Sequence, residues 1–255
     1  MHNDVVDLRE FYLGPAGQAV RRLLRARLRE IWPNWRGERV AAIGYGVPLL
    51  RPFLGEAANL VALMPAEQGV AYWPREGPNV SSLVDTRNLP LADNSMDRLI
   101  FMHALEGETD PHALLREAWR VLKSNGRMLL IVSNRRGLWA HSDRTPFGTG
   151  QPYSSFQIKN SLREQGFLVD RLWHALYMPP SDSRLWISLA DGFEKYGKRL
   201  FPGFGGVLMV EASKQLYAPI ATKSRIASRR LVLPLPSPMG HNPLPVGRSE
   251  IDKML

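Results

Sequence analysis

Apolar side chains recur along this chain in two alternating patterns. From Pro15 to Ile31, Val20, Leu23, Leu24, Leu28 and Ile31 fall three or four residues apart, and Arg21, Arg22, Arg25, Arg27 and Arg29 fill much of the remainder. That spacing predicts an amphipathic helix. Short apolar runs bounded by glycine, proline or aspartate follow, and each reads as a strand. They are Arg39–Ile43, Leu60–Leu63, Ser81–Val84, Asp97–Leu105, Gly126–Val132, Phe167–Trp173 and Gly206–Ala212. Helices are predicted between them at Leu49–Leu54, Pro111–Leu122 and Ser154–Gln165, the last opened by a serine cap and stopped by Gly166. Leu185, Ile187, Leu189 and Phe193 predict an inserted helix after Pro179-Pro180.

Strands alternating with helices indicate an α/β, doubly wound, mostly parallel sheet. Such sheets bind ligands beyond the carboxyl ends of their strands, at the point where the strand order reverses. The first strand runs into Gly44-Tyr45-Gly46, a turn in which backbone can approach a ligand closely.

Composition narrows the function classes. The 255 residues suit one sizeable core, at roughly 150 residues per domain. With no cysteine, thiol nucleophiles, disulfides and zinc–thiolate sites are excluded. Nothing has metal-ligand spacing, no apolar run reaches the ~20 residues of a membrane span, and the N-terminus lacks the order of a signal peptide. The protein is read as cytoplasmic. The net charge of +9 is uneven: from Ser213 onward seven basic residues face two acidic ones. A solvated basic tail accounts for that excess without a nucleic-acid ligand.

From Ser81 to Asn134 the chain closely resembles the type 11 family of class I S-adenosylmethionine-dependent methyltransferases. The resemblance is carried by Asp85 after the third strand, the Leu89–Leu91 turn, the D-x-S-x-D of Asp93–Asp97, a helix ending in WRVLK, and the Asn125–Arg127 turn into strand five. With weaker ends it spans about Arg39 to Ala212. It implies a seven-stranded Rossmann-like sheet whose final strand is antiparallel. It divides the chain into an N-terminal helical segment (1–36), a methyltransferase-like domain (37–217, with an insertion at about 179–204) and a Pro-rich basic arm (218–255).

The same resemblance implies S-adenosylmethionine or S-adenosylhomocysteine as the cofactor, held by Gly44, Tyr45, Gly46, Met64, Asp85, Thr86 and the His103 region. Asp85 matches the position that accepts the adenine amino group. The motifs are degenerate elsewhere: Ala42 stands where the family has an acid, and Leu63-Met64-Pro65 replaces its ribose-binding acid. His103, near the end of strand four, is the candidate catalytic residue, and Glu106 is a second proton acceptor or polar clamp. The methyl acceptor is unidentified. A non-catalytic relative that uses the fold to bind a protein partner is the alternative. The arm, with Arg225, Arg229 and Arg230 followed by five prolines in Leu231–Pro245, would dock that partner.

Overall fold

The computed structural model describes residues 3–214. The chain divides into a unit of residues 1–218 and a second of 219–255. The arm expected at 218–255 lies outside the described residues.

Two helices open the chain. Helix α1 (Val5–Leu13) is capped by the Asp4 side chain, which accepts from the Val6 N–H. Helix α2 (Pro15–Ile31) has the bounds its apolar spacing predicts, with proline at its first position. It buries Val20, Leu23, Leu24 and Leu28 in the same core as Leu8 and Tyr12 of α1 and the sheet residues Ala42 and Ile100.

Seven strands form one sheet: β1 (Arg39–Gly44), β2 (Asn59–Pro65), β3 (Ser81–Val84), β4 (Met96–Met102), β5 (Leu122–Ser133), β6 (Phe167–Ala175) and β7 (Val207–Lys214). Their order is β3-β2-β1-β4-β5-β7-β6. The first five are parallel, and β7 runs antiparallel between β5 and β6. The order reverses between β1 and β4, so the Gly44–Gly46 turn stands at the switch point. β1 and β5 carry runs of wholly buried residues, because helices or helical segments cover both faces.

Short helix α3 (Val47–Leu50) follows the glycine turn, α4 (Pro111–Val121) joins β4 to β5, and α5 (Ser155–Glu164) precedes β6. In α5 the Ser154 and Gln157 side chains form a reciprocal capping box. The insertion between β6 and β7 holds two helices, α6 (Arg184–Ser188) and α7 (Ala190–Leu200). Residues 66–80, between β2 and β3, contain no helix.

The end of α2 is pinned to the sheet by one polar contact in the core. The Trp32 indole N–H donates to the Glu211 carboxylate at 2.8 Å, and both residues are buried. Arg127, the other partner of that carboxylate, is half exposed at 3.2 Å. Trp32→Phe keeps an aromatic ring, though a smaller one, and removes the donor. Leaving a buried charged acceptor short of a bond costs about 1–3 kcal/mol, so we expect a lower thermal midpoint. A melting curve superimposable on the wild type would refute this.

Candidate cofactor site

The glycine turn is fixed by its neighbours. Gly44 has φ +84°, a region L-residues avoid, and a Cβ there would collide with the Met102 carbonyl oxygen and lie 2.9 Å from the Ala104 methyl. The Tyr45 N–H donates to that same Met102 oxygen at 2.8 Å, so the turn is stitched to the end of β4.

His103 follows β4 with φ +51° and is buried. Its Nε2 lies 2.8 Å from the Tyr12 hydroxyl, and its ring is 4.7 Å from that of Phe147. The Tyr12 ring stacks on Tyr45 at 5.9 Å. Gln68, buried just beyond β2, donates its side-chain N–H to the His103 carbonyl at 2.9 Å, and its backbone carbonyl accepts from the Val5 N–H at 2.8 Å. Helix α1 is therefore laid across the carboxyl ends of β1, β2 and β4. Both members of the Tyr12–His103 pair are neutral at pH 7. Burial lowers the His103 imidazole to about 3 and drives the Tyr12 phenol well above its usual value, with Tyr45 and Glu106 adding to the latter.

Glu106 is also buried. One of its oxygens accepts from the Ser133 N–H at 2.9 Å, and the other has no partner. Burial pushes its carboxyl up to about 6, against the opposing Ser133 hydrogen bonds. The Tyr153 phenol nearby is raised by burial and then by the Glu106 charge.

At the end of β3 the site is open. The Asp85 side chain is 56% exposed and can meet a ligand directly. The Arg87 backbone N–H, 2.9 Å from its carboxylate, is the main reason its acid is stronger than usual. Thr86 is buried beside it and hydrogen-bonded to Glu108, whose carboxyl burial raises. Met64, at the end of β2, is wholly buried, and its sulfur accepts from the Ala71 N–H at 3.4 Å.

The topology thus brings Gly44, Tyr45, Gly46, Met64, Asp85, Thr86 and His103 to the carboxyl ends of β1 to β4. They divide into an exposed end at Asp85 and a covered end at His103. Tyr12, Gln68, Ser133 and Phe147 belong to the covered end and escape the sequence reading. The Leu8–Tyr12 spacing of four residues behind a capping aspartate was the one signal that could have found α1. Among the described residues, no group of three or more His, Asp or Glu side chains could hold a metal ion. Nor is any helix there long and apolar enough to cross a membrane.

A seven-stranded sheet with its last strand reversed, and a glycine turn at the switch point, defines the class I S-adenosylmethionine-dependent methyltransferase fold. A solved SAM-dependent methyltransferase from Thermotoga maritima has the same fold, with a TM-score of 0.56 at 16% identity, covering 83% of this chain and 96% of that one. Residues 41–130 match the family model described as a methyltransferase domain.

Two curated relatives share sequence with it. Uncharacterized protein YafS of Escherichia coli (strain K12) is 44% identical over 59 residues, 23% of this chain and 25% of that protein. Uncharacterized protein Rv2003c of Mycobacterium tuberculosis is 25% identical over 192 residues, 72% of this chain and 66% of that protein. The chain therefore spans less than two thirds of the length of either relative.

Proposed function

We propose that the protein binds S-adenosylmethionine along the carboxyl ends of β1 to β4 and transfers its methyl group to an unidentified acceptor. The observation that carries this reading is the exposed Asp85 carboxylate after β3 on the same carboxyl edge of the sheet as a positive-φ glycine turn at the switch point. Asp85 would accept the adenine amino group, with Thr86 beside it. The Gly44–Gly46 backbone would admit the ribose and methionine parts, and Met64 would supply an apolar contact. When bound, the cofactor supplies an electrophilic methyl group. The chain's own part is to orient it, exclude water and take a proton from the acceptor where there is one.

For that proton the structure favours Glu106 over His103. A base with a pKa of about 3 is nearly inert at neutral pH, whereas a carboxylate near 6 is ionised and still moderately basic. In this reading Tyr12 and α1 cover the methionine end and must move aside for the cofactor to seat fully.

Calorimetry with S-adenosylmethionine and S-adenosylhomocysteine tests it. We expect both to bind, and Asp85→Ala to weaken them by about tenfold or more, as for loss of a charge-assisted hydrogen bond. Absence of heat at millimolar ligand would remove the cofactor role.

A second reading, a non-catalytic partner-binding relative, is favoured by two observations. Met64 offers no carboxylate to the ribose, and the buried Tyr12–His103 contact closes one end of the groove. Cofactor binding without transfer of labelled methyl to any acceptor in an extract would support it.

A further inference from the structure

Helices α6 and α7 turn only Ile187 and Phe193 of their large apolar side chains toward the core and leave the others in solvent. An amphipathic surface helix ordinarily buries its apolar stripe and shows its charges to water. Here α6 buries no side chain, and α7 buries only Ala190 and Gly197. Besides Ile187 and Phe193, which pack partly buried against the core, the pair is held down by small and polar groups. Gly197 packs so closely on the Tyr177 ring that a Cβ would lie 2.6 Å from it. Glu194 accepts from the Tyr177 N–H at 2.7 Å, and Asp191 pairs with Arg22 of α2 at 2.7 Å.

The remaining large apolar side chains are left outside. Of the fifteen large hydrophobic residues exposed among the described residues, seven lie on α6, α7 and the flanking loops, so the exposure is a patch and not scatter. Trp186, Leu189, Leu200, Phe201 and Phe204 are each 40–66% exposed, and with Leu138 they line a groove of roughly 760 Å³.

Cations border this patch. Arg136 lies over the Phe204 ring and Lys195 over Tyr196, each at 5.6 Å. Neither of them, nor Arg184, Lys198 or Arg199, forms a salt bridge among the described residues. α6 is also the wall of a second recess, of roughly 640 Å³, where Arg184 faces Arg21, Arg22 and Arg25 of α2. The arginine face of α2 therefore does not insert into anything itself, since its apolar face is in the core. It extends the positive border of the patch.

We infer that the α6–α7 face docks on an anionic lipid surface, with the leucine and aromatic side chains entering the acyl boundary and the arginines and lysines meeting lipid phosphates. An apolar face edged by Lys and Arg and carrying Trp and Phe is the pattern of an in-plane interfacial helix. A second copy of this chain fits less well. Two-fold pairing would set the same cationic border against itself, and like charges across an interface oppose association.

The test is sedimentation of the 255-residue chain with phosphatidylcholine vesicles, with and without about one third phosphatidylglycerol. We expect binding to the anionic vesicles and little to phosphatidylcholine alone, falling as salt rises. The double variant Leu200→Glu, Phe201→Glu changes two exposed side chains, so its melting curve should match the wild type. It should bind anionic vesicles about tenfold or more weaker, given the apolar area withdrawn from the bilayer. Arg184→Glu should weaken binding more at low salt than at high salt.

Three results would overturn the inference. One is no binding to anionic vesicles at low salt. Another is equal binding by wild type and the double variant, which would assign the interaction to charge elsewhere on the chain. The third is a wild-type dimer in analytical ultracentrifugation that the double variant abolishes, with no vesicle binding, which would give the face to a second copy. None of these outcomes depends on S-adenosylmethionine binding.

Discussion

Gly44→Ala is expected to lose about 3 kcal/mol or more of stability, while Gly46→Ala loses markedly less. Both glycines belong to the same turn, and the difference lies in what surrounds each. At Gly44 two penalties coincide. The backbone is at φ +84°, and the added methyl would collide with the Met102 carbonyl and approach the Ala104 side chain. That carbonyl also accepts from the Tyr45 N–H, so it cannot swing away without breaking the stitch between β1 and β4. At Gly46 no positive φ is required. A Cβ would press on the Ala42 Cβ at 2.8 Å and touch Leu50 at 4.0 Å, so the turn must shift slightly, but no backbone carbonyl collision or strained φ adds to that cost. For a domain of this size, a loss of 3 kcal/mol lowers the melting midpoint by roughly 10 °C. Paired thermal melts followed by circular dichroism would decide it. A Gly44→Ala midpoint within about 2 °C of wild type, or equal losses in the two variants, would mean that the turn is not held as described.

The strands were legible because each is a short apolar run punctuated by a turn residue, and because a parallel sheet buries them on both faces. β3 and α2 have the bounds their patterns predict, and the others differ by a few residues at their ends. The reversed β7 was not legible from periodicity. A period-two pattern has no direction, and the reversal came only through the resemblance carried by residues 81–134. Helix α1 was missed for a physical reason. It buries few residues, Leu8 and Tyr12 chief among them, so its apolar stripe is too sparse to stand out. Missing α1 meant missing half the site, because Tyr12 comes from ninety residues upstream to meet His103. The inserted segment is helical as its spacing predicts, in two pieces, but of its four apolar residues Ile187 and Phe193 pack against the core while Leu185 and Leu189 face outward. Spacing tells which residues share a face; it does not tell whether the fold has anything to put against that face.

Between about pH 6 and 4.5 the wild-type protein should hold its stability, and Glu106→Gln should lose about 2 kcal/mol over the same interval. Two buried groups pull in opposite directions there. His103 has a folded pKa of about 3 against an ordinary value near 6.5. The unfolded chain therefore binds a proton that the folded one refuses, and the stability this group confers is lost as pH falls below about 6.5. Glu106 has a folded pKa of about 6 against an ordinary value near 4.5. The folded chain binds its proton first, so this group adds stability as pH falls through 6 and has given all of it by 4.5. Over that window the two slopes, each about 1.4 kcal/mol per pH unit, cancel. Below it only the His103 slope remains, joined by carboxylates such as Asp85 and Asp97 whose folded pKa values are depressed. Glutamine at 106 keeps an oxygen for the Ser133 N–H and cannot titrate, so the His103 loss is uncovered from its start. The complementary variant, His103→Asn, suits the positive φ at that position and should lower stability overall while flattening the acid limb. Urea denaturation at a series of pH values for the three proteins reads these slopes directly. If wild type and Glu106→Gln fall in parallel from pH 6.5 downward, Glu106 does not take up its proton in the folded state near pH 6, and its place as the proton acceptor of the site falls with it.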